Sequence, residues 1–355
     1  MACFFTLPSP VRVGGWAASA AAPHPQEAVK NGISAPPANI RFGWPVACVL
    51  GQTCWVAHYV DQDPGPAVKD FALGDKSYNT HNGTDIALPH FRAMQQGVSV
   101  VAAAAGTVLR LRNTEPDTGV KQPGQTTHPP AGKECGNGLV IEHKDGWQTQ
   151  YCHLKQGSIV VKPGQVVPEG APLGQVGLSG NTEFPHLHLT VRHQGRVVDP
   201  FWPESPPSAD LRTAARTGLW KPEVFGRQAV YQPVDIFQMG LAEQPPTVLQ
   251  VRQGNVPALR HLSSKSGAST LVLWAEFFGL RTGDVLHWRI IRHREEDNVF
   301  QRSQTIQGHY ARYFAYQGQK RQQQPLQPGR YQAVITVQRG KQLMAHQQRW
   351  FSVSP

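Results

Sequence analysis

The sequence predicts a mainly β protein of two domains, and three observations carry that expectation. Its 355 residues, 40% of them hydrophobic, suffice for about two ordinary cores. Short apolar stretches repeat with a period of two, as in His186-Leu187-His188-Leu189 running to Val191, and again through much of the chain after residue 246. Between these regions, Pro203 to Pro222 is rich in Pro, Ser and Ala with few periodic apolar residues, which marks a boundary. The expected divisions are a leading segment and linker at 1–40, a first domain at 41–203, a linker at 204–228 and a basic β-sandwich at 229–355. No apolar run approaches the ~18 residues of a membrane-spanning helix.

Taken in order, Met1 to Ala22 ends in an Ala-Ser-Ala-Ala-Ala run that suits signal-peptide cleavage, but its n-region lacks Lys and Arg, and Pro8 and Pro10 interrupt the apolar part. It reads as a weak signal peptide or as one truncated at its start. Pro23 to Asn39 is rich in Pro and Ala and reads as a linker. From Phe42 the chain turns apolar.

The first domain holds a constellation of metal-ligating residue types: His81 and Asp85, then His153 in Tyr-Cys-His-Leu, then His186 and His188. His and Asp are ordinary zinc ligands, and a catalytic zinc keeps three protein ligands and one open position. His186 and His188 sit two apart in a strand-like run, so both imidazoles share one face. Asn82-Gly83 argues for a turn feeding a strand rather than a helix between His81 and Asp85. With 15 histidines, an H-x-H arises by chance about 0.6 times in such a chain, so the pair alone is weak. The order and surroundings of the motifs carry the weight.

Those surroundings include Val100-Val101-Ala102 running to Gly106-Thr107-Val108, Gly136-Asn137-Gly138, Val161-Lys162-Pro163-Gly164-Gln165-Val166, Leu173-Gly174-Gln175-Val176-Gly177 and Val198-Asp199-Pro200. With H-x-x-x-D, Tyr-x-His-Leu and H-L-H in the same order, the segment from about Phe42 to Trp202 resembles the lysostaphin-type (LytM-like) zinc metallopeptidases that cut peptidoglycan cross-links. The resemblance implies an antiparallel β-sheet domain (the duplicated hybrid motif) and one zinc ion held by His81, Asp85 and His188. It makes His153 and His186 the catalytic pair. No H-E-x-x-H occurs, so a glutamate base of that kind is missing, whereas an imidazole, with an ordinary pKa of about 6.5, suits proton transfer at neutral pH.

The same resemblance, to Gram-negative members, suggests disulfides Cys48–Cys54 and Cys135–Cys152, with Cys3 lost alongside the leading segment. The alternative is five free cysteines in a reducing cytosol. Cys152 as a ligand or nucleophile is disfavoured by strand alternation: if His153 faces the site, its neighbour faces away. Asn79 and Thr84 flank the first ligand pair and suit hydrogen bonding near it. Arg110 to Lys133, which includes His128, is a long polar loop of the kind that walls a cleft. Glu183 lies near the H-L-H without an assigned role.

The second domain has strand candidates at Thr247–Val251, Ser269–Phe278, Val285–Arg292, Ala311–Tyr316, Tyr331–Arg339 and Gln348–Val353, with a hairpin turn at Arg339-Gly340-Lys341. Six or seven short strands suggest an immunoglobulin-like sandwich. Trp274, Phe277, Trp288 and Tyr313 are expected in its core. Through Ser205 Lys and Arg number 15 against 15 Asp and Glu, and beyond it 19 against 9, so the whole net charge of +10 lies in the C-terminal part. Such a module suits an anionic envelope polymer, with nucleic acid a lesser fit, or merely keeps a sandwich soluble.

The expected function is a zinc-dependent endopeptidase acting on peptidoglycan peptide stems in the periplasm or outside the cell. Two alternatives are a non-catalytic cell-wall-binding regulator that activates an amidase, and a secreted metallopeptidase acting on proteins.

Overall fold

The computed structural model describes residues 40–118, 131–202, 218–224, 231–263, 270–293, 298–320 and 326–355. The leading segment with Cys3, the Pro/Ala-rich linker up to Asn39, and His128 lie outside the described residues. The chain divides into two units, one ending at Gln232 and one running from Pro233 to Pro355.

Among the described residues, ten strands build the first unit: β1 (Trp55–His58), β2 (Thr84–Ala87), β3 (Ser99–Val101), β4 (Gly106–Arg112), β5 (Asn137–Glu142), β6 (Trp147–Leu154), β7 (Val166–Val167), β8 (Pro172–Gln175), β9 (His186–His193) and β10 (Arg196–Val198). Eight of them form one antiparallel sheet in the order β1-β2-β9-β6-β5-β4-β7, with β10 also paired to β9, while β3 and β8 pair separately. The central strand β9 shows why this sequence makes a sheet. Leu187, Leu189 and Val191 are at most 1% exposed and join the core with Ile141, Trp147, Tyr151 and Leu154. Its alternate residues, His186, His188 and Thr190, point to the opposite face, as period two dictates. Both expected disulfides form, Cys48–Cys54 and Cys135–Cys152.

The boundary lies later than the composition suggests. Leu219 and Trp220, inside the expected 204–228 linker, are buried in the first unit's core. Phe42 N donates to Leu219 O (2.8 Å), Lys221 N donates to Phe42 O (2.9 Å), and the Trp220 ring tilts against Trp44 at 5.3 Å. Tyr231 also belongs here: its hydroxyl donates to Asp70 at 2.7 Å and its ring packs on Tyr59 and Phe71. Isolated apolar residues in a Pro-rich stretch make no periodic pattern, so only the fold reveals them.

The second unit is a two-sheet sandwich built from β11 (Asp235–Ala242), β12 (His261–Ser263), β13 (Thr270–Leu280), β14 (Val285–Arg292), β15 (Asn298–Thr305), β16 (Tyr310–Lys320), β17 (Gly329–Arg339) and β18 (Gln342–Ser354). One sheet has the order β11-β13-β16 and the other β12-β18-β17-β14-β15. Phe277 and Tyr313 from the first and Trp288 from the second meet in one core, and Trp274 is buried as well. The hairpin at Gly340 is present, with Arg339 opposite Gln342. Thr247–Val251 is not a strand. Thr247 and Gln250 form a reciprocal capping box that starts a short helix, Val248–Gln253, ended by left-handed Gly254. The outer face of β13 buries Glu276, which accepts from Arg312 Nη2 (2.7 Å), Arg252 Nε (3.2 Å) and Gln238 (2.8 Å), so its charge is paired rather than stranded.

Asp199, in the Val-Asp-Pro segment that follows β10, is buried and accepts from Gln62 Nε2 (2.8 Å) and Phe201 N (2.9 Å). Burial pushes its carboxyl up to about 7. A raised carboxyl keeps its proton in the folded state while the unfolded chain loses it. Stability therefore falls as pH rises from about 4 to about 7 and is level above, a loss of at most ~4 kcal/mol. Asp199→Asn should flatten that slope in urea titrations of the metal-free protein, because the Gln62 amide can turn to meet the new group. Parallel curves for both proteins would show that Asp199 is not the group responsible.

Candidate metal centre

Each candidate residue reaches the centre by a distinct local device. His81 follows Thr80, a non-glycine residue with φ +67°, whose N–H donates to Asp61 Oδ2 at 2.9 Å. The Asn82-Gly83 bend then feeds β2, and Asp85 lies directly opposite His188 across β2 and β9. His186 is on the same face of β9, two pairs further along, opposite Ala87.

His153 arrives differently from the expectation. Cys152, not His153, is in register opposite His188, so strand alternation alone would turn His153 away from the site. The backbone of His153 instead adopts φ +62°, a conformation unusual outside glycine, which redirects its ring to a point 4.7 Å from that of His186 and 5.9 Å from that of His188. The twist is held on both sides: His153 N donates to Cys135 O (2.8 Å) and Gly177 N donates to His153 O (3.0 Å). Cys152 shares the site-facing side of the sheet but is committed to its disulfide, and that bond, not the direction of its side chain, removes it as a ligand.

Three donor atoms converge. His81 Nε2 lies 3.2 Å from Asp85 Oδ1 and 3.2 Å from His188 Nδ1, and His188 Nδ1 lies 2.8 Å from Asp85 Oδ1. In a tetrahedral zinc site with bonds of about 2.0–2.1 Å, neighbouring donors stand about 3.3 Å apart. His186 Nε2 is 3.4 Å from the same carboxylate oxygen.

The outer nitrogens fix the tautomers. His81 Nδ1 sits 2.6 Å from the Tyr59 carbonyl, His186 Nδ1 2.9 Å from that of Phe184, and His153 Nδ1 2.8 Å from that of Ser179. Carbonyl oxygens only accept, so each of these nitrogens carries the hydrogen. His188 Nε2 likewise donates to Asn82 Oδ1 at 3.1 Å. In the neutral form of each ring the inner nitrogen is a bare lone pair, and these nitrogens gather around a carboxylate oxygen in a buried setting. Such a cluster of acceptors is repulsive without a cation and matches the donor set for zinc. His81, Asp85 and His188 are the residues that could hold the ion.

Electrostatics agrees. Burial alone would raise Asp85, but the facing imidazoles hold its carboxyl well below the ordinary range, so it is ionised. Burial lowers His81, yet the Asp85 charge and its hydrogen bonds outweigh that and leave it raised, which favours a proton on its inner nitrogen where no metal ion competes for it. Burial, joined by His186 and His188, pushes His153 well below its ordinary value and keeps it neutral.

Other expectations sort as follows. Asn79 is exposed, and it is Asn82 that bonds His188. Thr84 is buried opposite Leu189, and Glu183 is exposed. Asp117, in the expected cleft-wall loop, accepts from Leu178 N and Gln156 N at 2.8 and 2.9 Å and ties that loop to the segments beside His153. His58 was not foreseen: its Nδ1 lies 3.0 Å from Asp85 Oδ2.

The model of peptidase family M23 matches residues 79–200, which include all five gathered residues. Residues 79–200 are a peptidase family M23 domain. The chain is 34% identical over 139 residues to the peptidoglycan DD-endopeptidase ShyB of Vibrio cholerae, covering 39% of this chain and 26% of that protein. It is 35% identical over 119 residues to the peptidoglycan DD-endopeptidase ShyA of the same organism, covering 34% and 22%. The chain thus spans about a quarter of the length of these relatives. A solved zinc-containing peptidase from Vibrio cholerae is 28% identical, covering 42% of this chain and 39% of that one, with a TM-score of 0.26.

Within the M23 domain, Gly83 lies directly beneath the ring of His188. A Cβ there would stand 2.5 Å from His188 Nε2 and 2.8 Å from the Leu189 carbonyl oxygen. Gly83→Ala should displace that ring, weaken zinc binding roughly 10- to 100-fold and cost about 1–3 kcal/mol. Competition with a chromophoric chelator measures the first and urea unfolding the second; an unchanged Kd would mean that ring and strand move aside together.

Proposed function

We propose that this chain is a zinc-dependent endopeptidase that hydrolyses peptide cross-links of bacterial peptidoglycan. The observation that carries the reading is the convergence of three donor atoms, from His81, Asp85 and His188, beside the two further imidazoles of His153 and His186. Zinc held there supplies a Lewis acid for the scissile carbonyl and for the attacking water. His153 and His186 each present a bare Nε2 while a backbone carbonyl fixes the other nitrogen. In this reading His186 takes the water proton and returns it to the departing amine. Steadying the oxyanion then falls to His153, which requires a proton on Nε2 that its burial disfavours; exchanging the two roles on the same geometry makes the neutral His153 the base, as its bare Nε2 suits. The names of the relatives as peptidoglycan DD-endopeptidases support the substrate class, and two disulfides suit the oxidising periplasm or exterior.

The amidase-activating alternative has no need of five intact site residues, and here all five meet. Hydrolysis of protein substrates would use the same metal chemistry, and the substrate class is carried by the names of the relatives. The basic second unit, read as an immunoglobulin-like accessory module, fits attachment to anionic envelope polymer. Exposed Trp350, with the Arg330 guanidinium 4.3 Å above its ring, is a place where such contact can occur.

Purified cross-linked sacculi provide the test. Muropeptides with newly freed cross-link termini should appear with the zinc-loaded protein, vanish with chelator and return with zinc. His188→Ala should lose both zinc and activity. His186→Ala should keep zinc and lose roughly 10²- to 10⁴-fold in kcat. Equal zinc loss in the two variants would overturn the division of roles, and no release by folded, zinc-loaded protein would overturn the activity.

A further inference from the structure

Asp85 has two carboxylate oxygens, and the structure treats them differently. Oδ1 faces His81 Nε2, His188 Nδ1 and His186 Nε2 at 3.2, 2.8 and 3.4 Å. Oδ2 is met by His58 Nδ1 at 3.0 Å. His58 ends β1 and stands directly opposite Asp85 in the antiparallel pairing of β1 with β2. A register shift between Val56 and His58 creates that pairing, since Trp55 and Val56 follow a register one residue out of step with it. The His58 ring is then fixed by contacts with Tyr78 at 5.4 Å, His81 at 5.8 Å and Phe184 at 6.4 Å.

We propose that His58 is a positioning residue that engages Asp85 Oδ2 so that the carboxylate presents only Oδ1 to the metal. A free carboxylate can grip an ion with one oxygen or both. Gripping with both would consume the coordination position that a substrate carbonyl or water requires. A donor on Oδ2 removes that option and fixes the plane of the carboxylate, as hydrogen-bonded partners of ligating groups do elsewhere. His58 itself lies outside the three-residue donor set. The bulge in β1 has a purpose on this view: without it, the residue opposite Asp85 would be Ala57, which has no donor.

This inference rests on His81, Asp85 and His188 holding zinc, and the experiment separates the two claims. Zinc affinity is measured by competition with a chromophoric chelator, and the visible spectrum of the cobalt-loaded protein reports coordination number. His58→Ala should weaken zinc binding roughly 10- to 100-fold and lower the cobalt absorption in the way expected when a second carboxylate oxygen joins the metal. His58→Asn, whose side-chain amide can place an N–H near the position of Nδ1, should restore both to near wild type, and it also covers the case in which the alanine variant fails to fold. Unchanged affinity and spectrum in His58→Ala would overturn the role of His58 while leaving the metal site standing, as would equal loss in both variants. A wild-type protein that binds no zinc would remove the metal site and this inference with it.

Discussion

The register of β2 against β9, with Asp85 opposite His188, is the constraint on which the rest of the site depends. Side chains directly opposite in an antiparallel pair lie within a few ångströms and share a face, so this one pairing delivers two of three donors without any loop. The same register sends Leu187 and Leu189 to the other face, where they are fully buried. Slipping the strands by one residue would put leucines at the metal and histidines in the core at once. Core and site are two faces of a single strand, and each enforces the other.

Two of the five non-glycine residues with positive φ among the described residues lie at that pairing. Thr80 and His153 both adopt positive φ, and both flank or belong to the centre. Each is held by backbone hydrogen bonds from distant segments, Thr80 through Asp61 and His153 through Cys135 and Gly177. Strain of order 1–3 kcal/mol per residue persists only where the surroundings over-determine it. The disulfide beside His153 belongs to those surroundings.

Much of this was legible in the sequence. The spacing of His186 and His188 among leucines declares both the strand and the shared face, and Asn82-Gly83 declares the turn before Asp85. The motif order supplied His81 and His153. Other parts were hidden for physical reasons. Alternation misplaces His153 relative to Cys152, because a single left-handed residue inverts the pattern and histidine does not advertise it. His58 sits at the end of a four-residue strand in a bulged register, which no periodicity reveals. Thr247–Val251 reads as a strand from its valines, but a capping box between Thr247 and Gln250 decides for a helix. Leu219 and Trp220 anchor a stretch whose composition says linker.

The donor set is gathered across long stretches of chain: Asp85 and His188 are separated by 103 residues, and His81 and His188 by 107. Neither strand of the pair holds all three groups, and β9 takes its place between β2 and β6 only when it is threaded into the middle of the sheet. Loop closure over such distances carries an entropic cost that must be met before the contacts reward it. A chain that is still being made, or is crossing a membrane unfolded, therefore has histidines but no centre. Competence to hold the ion becomes a certificate of completed folding, issued by geometry alone, and the proposed hydrolase is harmless until its architecture is finished.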